Sequence, residues 1–348
     1  MNIGILADLH LGSRRFRKQK NHQNAWKLLN YAAFEEALES LSGQVDAIFI
    51  AGDVFDSYNP DVDALVVSRK LEELYIPVYA ISGNHDVSKT MQETTGVHCF
   101  DALRHNGSNV HWISTPEDIH INGVHVFFLP FGYLTPEYFH DCISKIQDSE
   151  LNCLVCHGYL DVGQQSDAND PLLLPKQVSK YFDLVVIGHV HLPSVVGNSR
   201  CRVLTPGSLM PSSASLSMAK ENGLPKHYIP STWIWNIETN SIGRYALRNV
   251  PTLHNVRTDT INDALKNVND GGIWNIVTSQ TINDVDEAIY KKALESSLYL
   301  HLQTAEIQIK KDDERNIIPD FWEWCKKEHS EWYDNLLAIK NNERKRHL

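Results

Sequence analysis

The sequence predicts a layered α/β sandwich. Three observations point to it. Short apolar runs alternate with helix-period segments in the first half of the chain. The middle is dominated by strand-like runs, and an antiparallel pair follows them.

The first strand spans Ile3 to Ala7, a short apolar run. A helix follows from Ala25 to Leu41, with Leu28, Leu29, Ala32, Ala33, Ala37, Leu38 and Leu41 at helical spacing. Val45 to Ala51 (VDAIFIA) is a strand, Asp61 to Leu74 a helix and Ile76 to Ser82 a strand. Pro60, Asp61 and Asp63 are helix-start residues. Further strands are expected at Val110 to Ile113, Val124 to Pro130, Leu151 to Cys156 and Asp183 to Ile187. Trp233 to Glu238 and Ile242 to Leu247 read as a pair joined at Thr239-Asn240-Ser241.

Residues 251–311 read as a separate β-α-β-α-β module. Its strands fall at Leu253 to Arg257, Ile273 to Thr278 and Leu298 to Ile309, its helices at Thr260 to Val268 and Asp284 to Ser297. Residues 312–348 form a last, helical segment. There Phe321, Cys325, Trp332, Leu336 and Ile339 fall near one face. Residues 1–250 make up the main domain.

With 348 residues, one large domain and a smaller one are the natural expectation. Hydrophobic residues make up 42% and charged residues 22%, an ordinary globular balance that excludes a fully disordered chain. No apolar run approaches the roughly 18 residues of a membrane span, and no signal-peptide pattern opens the chain. A cytoplasmic protein is expected. The six cysteines are too sparse for a disulfide framework. Cys153 and Cys156 form a CxxC, but inside an apolar strand-like run and with no second CxxC to complete a zinc site. The formal net charge of −11 argues against simple electrostatic capture of nucleic acid.

Five short motifs carry the chemistry, each at the end of an expected strand. They are Asp8-Leu9-His10, Gly52-Asp53, Gly83-Asn84-His85-Asp86, His157-Gly158 and Gly188-His189-Val190-His191. Sites in open α/β sheets form beyond the carboxyl ends of strands. Asp, Asn and His together suit Mn, Fe or Zn. Any one motif alone is weak, since Asn, Gly and Asp are ordinary turn residues. Five in this order, all at strand ends, are specific. His98, His105, His111, His120, His125 and His140 lack that context and read as surface or packing residues.

This ordered set resembles the calcineurin-like metallophosphoesterases over roughly residues 1–210. The resemblance implies a four-layer metallophosphoesterase α/β sandwich and two divalent metal ions, with Mn²⁺ the expected pair. It implies one metal on Asp8, His10, Asp53 and His191, and a second on Asp53, Asn84, His157 and His189. Asp53 would bridge them, His85 would be the acid, and Asp86 would steady it. Within the superfamily, Asp8-Leu9-His10-Leu11-Gly12, Gly52-Asp53-Val54-Phe55-Asp56 and Pro206-Gly207-Ser208 are similar to the SbcD branch of DNA double-strand-break nucleases. That branch implies a capping domain at 251–311 and a C-terminal helical segment docking on an SbcC-type ATPase. It also implies DNA as substrate, a homodimer, and the cytoplasm of a bacterial or phage-infected cell.

The loop Arg14, Arg15, Phe16, Arg17, Lys18, Gln19, Lys20 holds five cations in seven residues. A solvated loop is the plain reading; beside a metal site it would track a phosphate backbone. Phe321, Trp332 and Leu336 are the partner-facing candidates. The loop from Pro211 to Pro230 carries no assignment. The rival readings are a small-molecule phosphodiesterase or phosphatase with the same metals, and a non-catalytic scaffold on the same fold.

Overall fold

This computed structural model describes residues 1–13, 23–87, 100, 103–147, 149–160, 172–173, 178, 180–197, 200–211, 227–228, 230–251, 253–268, 271–281 and 284–303. The basic run from Arg14 to Lys20, most of the 211–230 loop and the tail bearing Phe321, Trp332 and Leu336 lie outside these residues.

The chain begins with β1 (Asn2–Leu6), α1 (Gln23–Leu41) and β2 (Ala47–Ala51). Then come α2 (Val62–Ser68), β3 (Val78–Ile81), β4 (Val110–Ile113), β5 (Glu117–Ile121), β6 (Val124–Leu129) and α3 (Pro136–Lys145). The middle holds β7 (Leu151–His157), β8 (Tyr159–Leu160), β9 (Leu172–Leu173), β10 (Leu184–Gly188), β11 (Ser194–Gly197) and β12 (Arg202–Thr205). Next are β13 (His227–Tyr228), β14 (Ser231–Asn236) and β15 (Ser241–Ala246). The last elements are β16 (Leu253–Thr258), α4 (Ile261–Lys266), β17 (Ile273–Thr278), α5 (Glu287–Ser296) and β18 (Tyr299–Gln303).

Two six-stranded sheets build the main body, in the orders β15-β14-β1-β2-β3-β4 and β11-β12-β10-β7-β6-β5. In the first, β1 to β4 run parallel and β14 and β15 close the edge antiparallel. In the second, β6, β7, β10 and β12 are parallel, with antiparallel β5 and β11 at the edges.

Strand alternation sorts the side chains into layers, since successive residues face opposite sides. Ile3 and Ile5 of β1, Phe49 of β2, Val126 and Phe128 of β6 and Val155 of β7 form one core. That core draws on both sheets and lies between them. Ile48 and Ile50 of β2 face the other way and pack with Trp26, Phe34, Ala37 and Leu41 of α1. Phe127 and Leu129 of β6 pack with Phe139 and Cys142 of α3. The result is helix, sheet, sheet, helix: the four layers expected. Burial of each large side chain such as Phe34 or Phe49 contributes about 1.5–3 kcal/mol. Cys153 lies in the inter-sheet core and Cys156 in the outer one, because residues three apart on a strand face opposite sides. Both thiols are free and buried, and burial raises both pKa values. The CxxC is therefore packing.

A third sheet, β13-β16-β17-β18, carries the β-α-β-α-β path. Strands β16, β17 and β18 are parallel, and α4 and α5 supply Ile261, Leu265 and Ala293 to its own core. It recruits β13 from ahead of residue 250, paired His227 to His254 and Tyr228 to Leu253. Ile273 and Leu298 join the α1-side core of the main body.

Several expectations shift. The helix from Asp61 to Leu74 is α2 followed by a 3-10 segment from Arg69 to Leu74, closed by Tyr75 at φ 56°. The strand expected from Leu298 to Ile309 is described only as Tyr299–Gln303. Strands β5, β11 and β12 and helix α3 were not expected. Among the described residues, no helix is long and apolar enough to cross a membrane.

Candidate metal centre

All five motifs sit where β1, β2, β3, β7 and β10 end, so the loops of both sheets meet at one edge. Cross-sheet hydrogen bonds clamp them. The His189 N–H donates to both Asp8 carboxylate oxygens at 2.9 and 3.1 Å. His157 Nδ1 is 2.8 Å from the Ala51 carbonyl oxygen, which makes Nδ1 the protonated nitrogen. Nε2 is then left with its lone pair facing the site.

Glycine is required where these loops touch. A Cβ on Gly52, itself at φ 86°, would run into the His157 ring, and one on Gly83 would run into Asp53. The ligand-type residues themselves take the left-handed conformation: Asp8 at φ 51°, His10 at 46°, Asp53 at 50° and His189 at 89°. They are four of the seven non-glycine residues with positive φ among the described residues. Such strain is held only where the surroundings enforce it, and it concentrates at functional sites.

Two groups result. Ligand atoms of Asp8, His10, Asp53 and His191 lie within 4.8 Å of one another, as do those of Asp53, His157 and His189. Asn84 completes the second group: its Oδ1 is 3.0 Å from His157 Nε2 and 2.8 Å from His189 Nδ1. Asp53 belongs to both. Its Oδ2 is 3.7 Å from His10 Nε2 and its Oδ1 3.6 Å from His157 Nε2. All seven expected ligand residues are thus brought together.

The donor set fits divalent cations. His10 Nε2 and His191 Nε2 face each other at 3.0 Å, and Asn84 Oδ1 faces the lone pair of His157 Nε2. Two acceptors turned toward one another, as Asn84 Oδ1 and His157 Nε2 are, are costly when buried, and a shared cation satisfies both sides; in the His10–His191 pair the tautomers decide which nitrogen donates. Burial lowers the pKa of His157, outweighing Asp53 and the Ala51 carbonyl, which raise it. Burial, then His157, lower His189 to about 4. Both rings are therefore neutral at neutral pH, the form that ligates metal. Burial pushes the Asp53 carboxyl up, but His157, His10, His85 and the His85 N–H outweigh it and hold it low. The side chain common to both groups is a carboxylate.

His85 stands beside this centre, its ring 4.7 Å from that of His10 and nearly perpendicular. Its backbone N–H donates to Asp53 Oδ1 at 2.8 Å. The expected support by Asp86 is corrected by the structure. The Asp86 carboxylate turns under the loop and accepts from the backbone N–H groups of Val54, Phe55 and Gly83. Burial and the Asp53 charge push its pKa up, and those three N–H groups pull it down. What holds the His85 ring is Asp56, whose carbonyl oxygen lies 2.9 Å from Nδ1.

Asp56 is the functional residue that sequence reasoning missed, although it stands in the quoted Gly52-Asp53-Val54-Phe55-Asp56 segment. Its carboxylate Oδ1 also lies 3.2 Å from His10 Nδ1. One residue thus holds the neighbouring imidazole through its carbonyl and places a carboxylate behind a ligand histidine. Carboxylates behind ligand histidines tune affinity by roughly 10–100-fold. Asp56→Asn is expected to weaken metal binding by about that factor while leaving the backbone bond to His85. Metal titration monitored by calorimetry checks this; unchanged affinity would remove the carboxylate's role.

Asp118, His120 and His125 form another close group, away from these loops. It reads as an ion-pair network. His125 bonds Asp118 at 2.9 Å, Lys145 bonds Asp118 at 3.0 Å and His120 bonds Glu150 at 2.8 Å. The two imidazoles stack at 4.0 Å and 19°, so their in-plane lone pairs do not converge.

The fold and this centre define a metallophosphoesterase. The chain belongs to the calcineurin-like phosphoesterase superfamily, whose domain pattern matches residues 1–220. Proteins of this superfamily use divalent metals, and the two ligand groups are built for them. The chain is also similar to the SbcD component of the nuclease SbcCD from Staphylococcus epidermidis. The two are 26% identical over 377 residues, which covers 94% of each chain. Among solved structures, the protein TT1561 of Thermus thermophilus aligns over 71% of this chain and 99% of its own. Its TM-score is 0.43 at 12% identity. An archaeal phosphodiesterase aligns over 71% of this chain and 100% of its own, with a TM-score of 0.36 at 16% identity.

Proposed function

We propose that the chain is the nuclease component of an SbcCD-like DNA repair and recombination complex, hydrolysing DNA phosphodiesters with two metals, Mn²⁺ by preference. The observation that carries the hydrolytic reading is the pair of ligand groups sharing Asp53, with His85 alongside. The choice of DNA is supported by similarity along nearly the whole length of a relative named as part of a nuclease. A small-molecule phosphodiesterase gives no reason for the third sheet and the long tail.

Bound at the two groups, divalent metals supply charge neutralisation at the phosphate and activation of water. The chain does the rest. Asp8, His10, Asp53 and His191 would hold one ion, and Asp53, Asn84, His157 and His189 the other. Asp53 would fix their relation, since it offers one oxygen to each group. His85 keeps its Nδ1 proton on the Asp56 carbonyl, so Nε2 is the atom that faces the leaving oxygen; as the imidazolium it gives its Nε2 proton to that oxygen and is left as the neutral ring.

Residues 1–250 constitute the nuclease domain in this reading, 251–311 the capping domain and 312–348 the partner-binding segment. Arg14, Arg15, Arg17, Lys18 and Lys20 contact the DNA backbone. Phe321, Trp332 and Leu336 dock on an SbcC-type ATPase, and the complex contains a homodimer of this chain in the cytoplasm.

The first test is Mn²⁺-dependent degradation of end-labelled linear DNA, single- and double-stranded. Cleavage that needs metal supports the reading. Turnover of a small phosphodiester by a protein that leaves DNA intact, with and without the ATPase, contradicts it. Deleting Ile317 to Leu348 is expected to abolish binding to the ATPase and spare metal-dependent hydrolysis. Retained binding in a pull-down of the two proteins would place the docking surface elsewhere.

A further inference from the structure

We infer that Phe131, at the rim of the metal centre, is a stacking platform for the nucleobase next to the scissile phosphate. The inference rests on the DNA reading above and adds a residue that sets substrate preference.

Strand β6 ends at Leu129, and the chain turns through Pro130-Phe131-Gly132-Tyr133 on the edge where the metal loops meet. Two hydrogen bonds fix that turn. The Phe131 N–H donates to the Ser82 carbonyl at 2.8 Å, tying it to the strand exit that carries Asn84 and His85. The Tyr133 N–H donates to the Pro130 carbonyl at 3.1 Å, and Gly132 at φ 89° permits the bend. The Phe131 ring meets the His157 ring edge-on, centroids 6.3 Å apart and planes at 77°. His157 belongs to the ligand group with Asn84 and His189, so Phe131 borders that half of the centre.

Phe131 is only half-buried, on a hydrogen-bonded turn beside the candidate metal centre. Tyr133, also half-buried, packs edge-on against Tyr138 of α3 at 5.1 Å, so the aromatic surface continues outward. A phenyl ring adds nothing to phosphate binding. A nucleotide chain, however, pairs each phosphate with a flat apolar base, and stacking on an aromatic ring is sequence-tolerant because every base has a π face. That suits a chain with net charge −11, which gains little from general electrostatic attraction. The competing reading is that Phe131 merely packs against His157 and keeps the ligand in place.

The two readings separate on a Phe131→Leu variant, which retains bulk and loses the π face. The holoenzyme is assayed with Mn²⁺ on oligonucleotides that carry either a normal base or an abasic tetrahydrofuran residue at each position flanking the cleaved bond. Metal content is measured alongside. For the unmodified protein, kcat/KM is expected to be about ten-fold higher on the base-bearing substrate, the order of one lost stack. For Phe131→Leu, that preference should collapse toward unity, with metal content and abasic cleavage unchanged. Equal losses on both substrates, or a preference that survives the substitution, would overturn the inference while leaving the nuclease reading intact. Absence of any DNA cleavage by the unmodified protein, with and without the ATPase, while a small phosphodiester is still hydrolysed, would overturn both.

Discussion

Asp53→Asn is expected to empty both metal groups at once and to lower phosphodiester hydrolysis by at least ~1,000-fold. Asp53 is the one side chain common to the two groups, with an oxygen toward each. Asparagine keeps its shape and tolerates the left-handed φ of 50° that the position imposes, so the fold should survive. It removes the negative charge and one of the two oxygen donors. Elemental analysis after dialysis, with circular dichroism as the folding control, reads the outcome. Retention of two metals per chain would mean that Asp53 does not bridge.

His85→Gln is the second large effect, with the opposite metal signature. Metal content should stay at the unmodified level, while the hydrolysis rate falls by about 100- to 10,000-fold, the range for loss of a positioned acid. His85 touches the centre through its backbone N–H on Asp53, which glutamine keeps, and through its ring, which glutamine lacks. Loss of metal in this variant equal to that in Asp53→Asn would make His85 a ligand and erase the division of roles. An unaffected rate with good leaving groups but a lost one with alkoxide leaving groups would identify proton donation as its specific contribution.

Much of this was legible in the sequence because it depends on strand ends. A short apolar run followed by Asp, His, Asn or Gly announces where a buried strand emerges, and β1, β2, β3, β7 and β10 all emerge on the same edge. The gathering of the seven candidate ligand residues at one edge follows from that, while their division between two metals was implied by the family resemblance alone. What escaped is what periodicity does not encode. Strand β11 is exposed along its whole length, and β5 has only two apolar residues, so neither reads as buried sheet. Helix α3 opens on Pro136, whose place in the first turn is natural but whose presence in a sequence suggests a loop. The 3-10 segment after α2 ends on Tyr75 in a left-handed conformation with no glycine to mark it.

The site shows the same limit. Asp86 follows His85 directly, and adjacency invited the pairing, yet neighbours on a tight turn point apart, and Asp86 serves backbone N–H groups instead. Asp56 holds His85 through a carbonyl oxygen, an atom every residue possesses, so its identity gave no signal for that contact. Its carboxylate on His10 depends on a fold contact between the β1 and β2 loops. Leu11 and Phe55 bridge there, and the His10 N–H bonds the Asp53 carbonyl at 3.0 Å.

The claim on which everything else rests is that two cations share Asp53. Crystals of the protein grown with Mn²⁺ and measured at the manganese absorption edge test it most directly. Two anomalous peaks are expected, one among Asp8, His10, Asp53 and His191 and one among Asp53, Asn84, His157 and His189, with the Asp53 carboxylate contacting both. A single peak, or two peaks with Asp53 bound to only one, would contradict the account.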